Sequence, residues 1–205
     1  MTAPVQIETI YKLAEPFWQT RSGEVHMPQA FAFAKRLLEF YPQADAEIVL
    51  PAILLHDIGY ARVPEETHHQ GLAGAPKGWQ PDITRLHEIE GVNLARAMLS
   101  LLGFDRVKLE MILEIIDGHD SRKRAVSLED AIVKDADKLW RFGLEGVTIC
   151  RGWMGMGATD FLAYVEAKIP EWFLTDHGAA LARDTLSQTW SALKSALKSA
   201  LKENA

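Results

Sequence analysis

The chain has 205 residues, 48% hydrophobic and 24% charged, with a formal net charge of −6. That length fits a single domain, and the composition is that of a globular protein able to build a core. The acidic balance argues against a binder that relies on a broad basic surface for nucleic acid, although a bound metal can reverse the sign locally for a small anionic substrate. Cys150 is the one cysteine. It excludes an intrachain disulfide and suits a reducing compartment. In "GVTICRGW" it has no adjacent base and reads as buried filler. No apolar run approaches the roughly 18–20 residues needed to cross a bilayer. "MTAPVQIETIYKL" lacks the basic start and apolar middle of a signal peptide. The expected location is the cytoplasm, with no membrane partner.

Helical periodicity runs through almost the whole chain and no convincing strand is found, so the expected class is all-α. Residues 5–19 place Val5, Ile10, Leu13, Phe17 and Trp18 near a 3.6-residue period, with a break or kink expected at Pro16. Pro28 is expected in the first turn of the next helix, with Phe31, Ala34 and Leu38 on one face. "ADAEIVLPAILLHDIG" (44–59) reads as a buried helix bent at Pro51 and stopped at Gly59. Residues 60–81, with Pro64, Gly71, Gly74, Pro76, Gly78 and Pro81, read as a long loop of the kind used for lids and binding. Helices are expected at 82–102, 105–118 and 127–142, then a mobile turn in "RGWMGMGATD" (151–160), then helices at 159–172 and 179–203. The tail repeats "SALK" three times, and Trp190, Leu193, Leu197 and Leu201 make an apolar stripe. The stripe suits docking on the core. A partner helix or a second copy of the chain is the alternative, which leaves a homodimer open.

Histidines and aspartates stand at helix ends or in helices beside apolar runs in a fixed order: His26, His56-Asp57, His87, His119, Asp137. Burying several imidazoles with two ionised carboxylates is costly unless something compensates them. A divalent cation neutralises the carboxylates and uses the imidazole lone pairs. The mixed N/O set suits manganese, iron, cobalt, nickel or zinc better than calcium, with one or two ions per chain.

The order "H…HD…D", carried by "LLHDIG" and "KDADKLW", resembles the HD-domain superfamily of metal-dependent phosphohydrolases. "HEIEGVNLARAML" and "ILEIIDGHD" are similar to the middle region of that superfamily. The resemblance implies a compact helical bundle with a C-terminal amphipathic helix, one HD-type domain over 1–205 with its motif core at about 26–142 and a C-terminal helical part at 143–205. It implies His26, His56, Asp57 and Asp137 as ligands of a first metal, with His87 and His119 serving a second ion bridged by Asp57. The fuller pattern is also similar to cyclic-dinucleotide phosphodiesterases and to di-iron oxygenases such as myo-inositol oxygenase. The phosphodiesterase "GYP" is absent, the candidate loop reading "GHDSRKRAVS". Some HD nucleotidases carry a glutamate four residues after the HD aspartate, where this chain has Ala61.

The expected function is therefore metal-dependent hydrolysis of a small phosphorylated molecule, with nucleotides among the candidates, by metal-activated water. Asp57, Asp137 and Lys138 are the expected catalytic residues, Asp137 as proton acceptor and Lys138 as a phosphate contact. His68 and His69 in the long loop, and Arg122 and Lys123 beside His119, are the expected substrate-binding residues. Asp120 is expected to orient a histidine or cap a loop, and Asp135 to support the site or face solvent. Trp79, Trp140 and Trp153 are expected in core and pocket walls. A di-iron oxygenase with the same ligands is the rival enzyme, and a non-catalytic nucleotide sensor is the third reading.

Overall fold

The computed structural model describes residues 3–71 and 80–203. Its described residues form nine α-helices joined by short 3-10 segments, and no strand, as the periodicity predicts. Helix α1 (Ala3–Ala14) ends where Pro16 denies the next turn a backbone donor, and the chain continues as a 3-10 turn over Glu15–Trp18. Helix α2 (Gly23–Phe40) starts earlier than expected, so Pro28 lies in its second turn and His26 inside its first.

Helix α3 (Ala46–Leu55) is capped by Asp45, whose carboxylate accepts from the Glu47 amide at 2.8 Å. It stops at Leu55, four residues before the expected end, and a 3-10 segment follows over Ile58–Arg62. Gly59 does not stop the helix. A Cβ there would stand 1.9 Å from the His87 carbonyl oxygen, so glycine is what lets this segment press against the following helix. Residues 65–71 are a further 3-10 segment, which replaces part of the expected long loop.

Helix α4 (Pro81–Leu101) begins on proline, as an N1 position favours. Helix α5 (Arg106–Ile116) is capped by Asp105 and α6 (Leu128–Leu139) by Ser127. Helix α7 (Leu144–Met154) occupies residues expected in part as a turn. Only 155–157 turn, with Gly155 at φ +63° ending the helix. Helices α8 (Ala158–Trp172) and α9 (Asp176–Glu203) complete the chain.

Helices α2, α3 and α6 pack on one another, α3 also on α5, and α4 on α5 and on the 58–62 segment. Leu54, Leu55, Ile58, Ile116, Ile132 and Leu139 are fully buried where these elements meet, each worth about 1.5–3 kcal/mol of burial. Cys150 is buried in this core, as filler would be. Trp190 and Leu193 of the tail pack on the core, while the side chains of Leu197 and Leu201 lie outside the described residues. No helix among the described residues is long and apolar enough to cross a membrane.

Candidate metal centre

Two adjacent residues inside a helix point about 100° apart, so His56 and Asp57 cannot both address one point from mid-helix. The chain solves this by ending α3. His56 is its C-cap, and Asp57 has left helical geometry at φ −101°, ψ 0°, the bridge region common at active sites. The apolar run that drives α3 into the core thus delivers the pair to the molecule's centre.

Asp57 divides its carboxylate between two groups. Oδ2 lies 3.5 Å from His26 Nδ1 and 3.6 Å from His56 Nε2. Oδ1 lies 3.3 Å from His119 Nε2 and 3.6 Å from His87 Nε2. Asp137, on α6, closes the first group, its Oδ1 3.0 Å from His26 Nε2 and 3.4 Å from His56 Nε2. All four histidines are buried. The structure thus brings together His26, His56, Asp57, His87, His119 and Asp137 from α2, the end of α3, α4, the turn after α5, and α6.

The tautomers are set from behind. His56 Nδ1 donates to the Ile53 carbonyl at 2.8 Å and His119 Nδ1 to the Ile116 carbonyl at 2.9 Å. Each leaves Nε2 turned inward, where a metal-ligating imidazole presents its lone pair once neutral. His26 Nε2 and His56 Nε2 are buried without a hydrogen-bond partner among the described residues, although carboxylate oxygens lie close. Donor atoms of His26, His56 and Asp57, and again of Asp57, His87 and His119, lie within 4.8 Å of one another. An ion bound at about 2.0–2.2 Å by N and O ligands spaces them roughly 3–3.5 Å apart. The donor set fits a divalent ion.

Charge is distributed accordingly. Burial alone would raise Asp57 and Asp137, but the surrounding histidines hold both carboxyls well below their usual range. Burial and the neighbouring His119 push His87 down to about 4, so it stays neutral. Burial acts downward on His119 too, yet its hydrogen bond to Asp57 and the charges of Asp120, Asp57 and Glu88 carry it up to about 9.

The turn bearing His119 is held from both sides. Lys134, buried on α6, donates to the carbonyls of Gly118, His119 (2.8 Å) and Arg122 (2.9 Å). Glu88, fully buried on α4, accepts from the amides of Asp120 (3.0 Å) and Ser121 (2.8 Å), from the Ser121 hydroxyl, and from Arg85. In the sequence Glu88 reads as a surface residue. Only the fold shows it buried under the turn.

A cleft of about 550 Å³ adjoins the centre, a size suited to a small ligand. His119 and Asp120 stand at its inner end, Arg85, Arg122, Lys123, Lys138, Arg141 and Lys168 line it with positive charge, and Trp153, Phe161, Tyr164 and Trp172 form apolar walls. Of the expected substrate residues, Arg122 and Lys123 line this cleft, Arg122 also pairing with Asp130 at 2.9 Å. Lys138 lines it as well and donates to the Lys134 carbonyl at 3.1 Å. His68 is placed otherwise. It is buried, its Nε2 is 2.8 Å from the Val63 carbonyl, and it packs on Tyr60 outside the cleft lining. The side chain of His69, and Trp79, lie outside the described residues. Asp120 faces His87 and His119 at 3.8 and 3.9 Å. Asp135 turns away from the centre to the start of α9. Arg85, Arg141, Glu88 and Lys134 go unnoticed in the sequence, where each charge has an unremarkable surface pattern.

An all-helical bundle with two histidine pairs sharing one aspartate defines a helical domain with a candidate metal centre. Residues 24–141 match the family model of the HD domain, and the chain belongs to that family. The superfamily generally consists of metal-dependent hydrolases, and this chain's His/Asp groups could hold such a metal. The fold is also similar to the crystal structure of selenomethionine YpgQ from Bacillus subtilis, with a TM-score of 0.67 over 97% of this chain and 96% of that one. The two sequences are 20% identical, so the likeness speaks to fold. No curated protein matches the chain.

Proposed function

We propose that the protein hydrolyses a phosphate ester or anhydride of a small molecule at a centre whose histidines and aspartates would hold two divalent ions, with Asp57 facing both groups. The observation that carries this reading is the split of the Asp57 carboxylate, one oxygen toward His26 and His56 and the other toward His87 and His119. His26, His56, Asp57 and Asp137 would hold the first ion, and Asp57, His87 and His119 the second. When bound, a divalent ion there supplies an acidified water and neutralises phosphoryl charge.

The chain's own residues do the rest. Arg122, Lys123, Lys138 and Arg141 draw an anion into the cleft and hold it against the inner end. The aromatic walls hold the organic part and exclude water from it. Asp137 is occupied between two histidines. Asp120, which reaches both the centre and the cleft, is the better placed carboxylate to take a proton from the attacking water.

The test is elemental analysis of purified protein followed by phosphatase, pyrophosphatase and phosphodiesterase assays with manganese, iron, cobalt, nickel and zinc. Expected is metal content that Asp57→Ala abolishes together with phosphate or pyrophosphate release, while circular dichroism stays that of wild type. An Asp57→Ala protein with full metal and full rate removes the reading. Iron content with oxygen consumption and no phosphate release would make the chain an oxygenase instead.

A further inference from the structure

Three polar side chains beside the centre have buried donor atoms that bond to nothing among the described residues. Arg21 Nε, Tyr60 Oη and Trp140 Nε1 are all shielded from solvent and unpartnered. Such groups are rare in folded proteins because an unmet buried donor costs more than a made bond returns. Among the described residues Arg122 Nε and His87 Nδ1 are also buried without a partner, but neither side chain shares the location of these three, and the polar groups of Trp18 and Tyr41 are satisfied. The Trp18 indole donates to the Leu54 carbonyl, and the Tyr41 hydroxyl bonds to His177. The three orphans share one location. Their side chains line a cavity of about 20 Å³, whose wall also includes His26, Asp57, Asp120 and Asp137. That is room for about one oxygen atom with its hydrogens.

The backbone is bent to bring Arg21 there. Arg21 and Ser22 both hold positive φ, 50° and 58°, a conformation that costs non-glycine residues energy and persists where the surroundings enforce it. Gly23 closes the turn against Trp18, where a Cβ would lie 2.5 Å from the carbonyl oxygen. The guanidinium then stacks 4.0 Å over the Tyr60 ring and 5.6 Å from Trp153, and no carboxylate among the described residues pairs with it. Trp140 stacks on His26 at 4.7 Å, and Tyr60 on His87 at 4.0 Å. Each donor therefore sits on a ring that belongs to the centre or on a neighbour of one.

Guanidinium and indole are donors only, and a phenol donates when its partner is an anion. A water accepts two hydrogen bonds at most, whereas a terminal phosphoryl oxygen accepts more and answers the unpaired charge of Arg21. We propose that Arg21, Tyr60 and Trp140 form a donor cradle for one non-bridging oxygen of the substrate's phosphoryl group, facing it across the cavity from the carboxylates. This rests on the hydrolase reading for the identity of the anion. Asp120, Arg141 and Trp153 line both cavity and cleft, so a phosphoryl group at the inner end of the cleft reaches the cradle with one oxygen.

The experiment is calorimetric titration of inorganic phosphate into wild type, Tyr60→Phe and Arg21→Gln, each loaded with the ion found in the purified protein, with metal content measured on every sample. Tyr60→Phe removes one oxygen and keeps the ring on His87. It is expected to retain wild-type metal content and to bind phosphate about tenfold more weakly, as for a lost hydrogen bond to a charged group. Arg21→Gln is expected to lose at least as much, and Tyr60→Phe decides alone if Arg21→Gln does not fold. Equal affinity in wild type and Tyr60→Phe overturns the cradle, as does absence of phosphate binding by wild type. A drop in the metal content of Tyr60→Phe also overturns it, since Tyr60 would then serve only to support His87. These failures leave the hydrolase reading standing, because that is read from product release. Weaker phosphate binding by Tyr60→Phe, in a wild type that hydrolyses nothing, supports the cradle and removes the hydrolase reading.

Discussion

His119 Nε2 lies 3.3 Å from Asp57 Oδ1, and this contact bears on what uptake of an ion must do. His119 is held up at about 9, above the ordinary histidine value, so it is protonated at neutral pH. As a ligand it must be neutral. Metal loading at pH 7 is therefore expected to release a proton, and apparent affinity to rise with pH until about 9 and then level. Calorimetry of metal binding in buffers of different ionisation enthalpy measures the proton count, and a count of zero would contradict the placement of His119. The sign for stability runs the other way. The charged pair stabilises the metal-free fold below the histidine's unfolded pKa, and that contribution disappears as pH rises through about 9. The sequence makes the imidazoles and carboxylates legible through their order and spacing, and most plainly through the apolar run that ends in His56-Asp57. It hides Glu88, Arg21 and Tyr60, because whether a polar atom is buried or left without a partner depends on residues far along the chain.

At the scale of elements, the turn between α5 and α6 is the least regular support for the centre, and it is the most heavily tied. The Lys134 ammonium collects three carbonyls and the Glu88 carboxylate two amides. Lys134→Met keeps the length of the side chain and removes the ties. The Gly118 carbonyl still accepts from the Arg122 amide at 3.2 Å, but the His119 and Arg122 carbonyls lose their donor at about 1–3 kcal/mol each, and about 2–4 °C of Tm goes with each kcal/mol in a chain of this size. The expected result is a Tm lowered by roughly 4–24 °C with unchanged helix content. A lowered metal content accompanies it, because His119 loses its fixed position. Unchanged metal content by elemental analysis would show that the turn holds its shape without Lys134. Sequence periodicity locates α4, α5 and α6 within a few residues, since their apolar faces are continuous. It misses most of α7, where glycine and methionine near 152–157 look like turn residues, although Val147 and Cys150 bury a helical face. It also misplaces the end of α3, which stops at Leu55 although the apolar run and Gly59 suggest a longer helix.

Across the whole molecule, the net charge of −6 conceals a positive cleft. Arg85, Lys138 and Lys168 come from three different helices and meet only in the fold. The same is true of its aromatic wall, which α7 and α8 supply from beyond the family's matched region. One carboxylate links that outer part to the centre. Asp135 on α6 accepts from the Leu174 amide at 2.8 Å and from the Thr175 amide and hydroxyl at 2.9 and 2.7 Å. Asp137, two residues on, faces the opposite way into the centre. Helix α6 is thus a short rod pinned at one side to the start of α9 and at the other to the histidines. Immobilising one pin steadies the other, so ion loading is expected to slow amide exchange at residues 174–182 as well as around 137, and Asp135→Asn to abolish the distant effect while sparing the near one. The tail helix would then act as a remote reporter of occupancy.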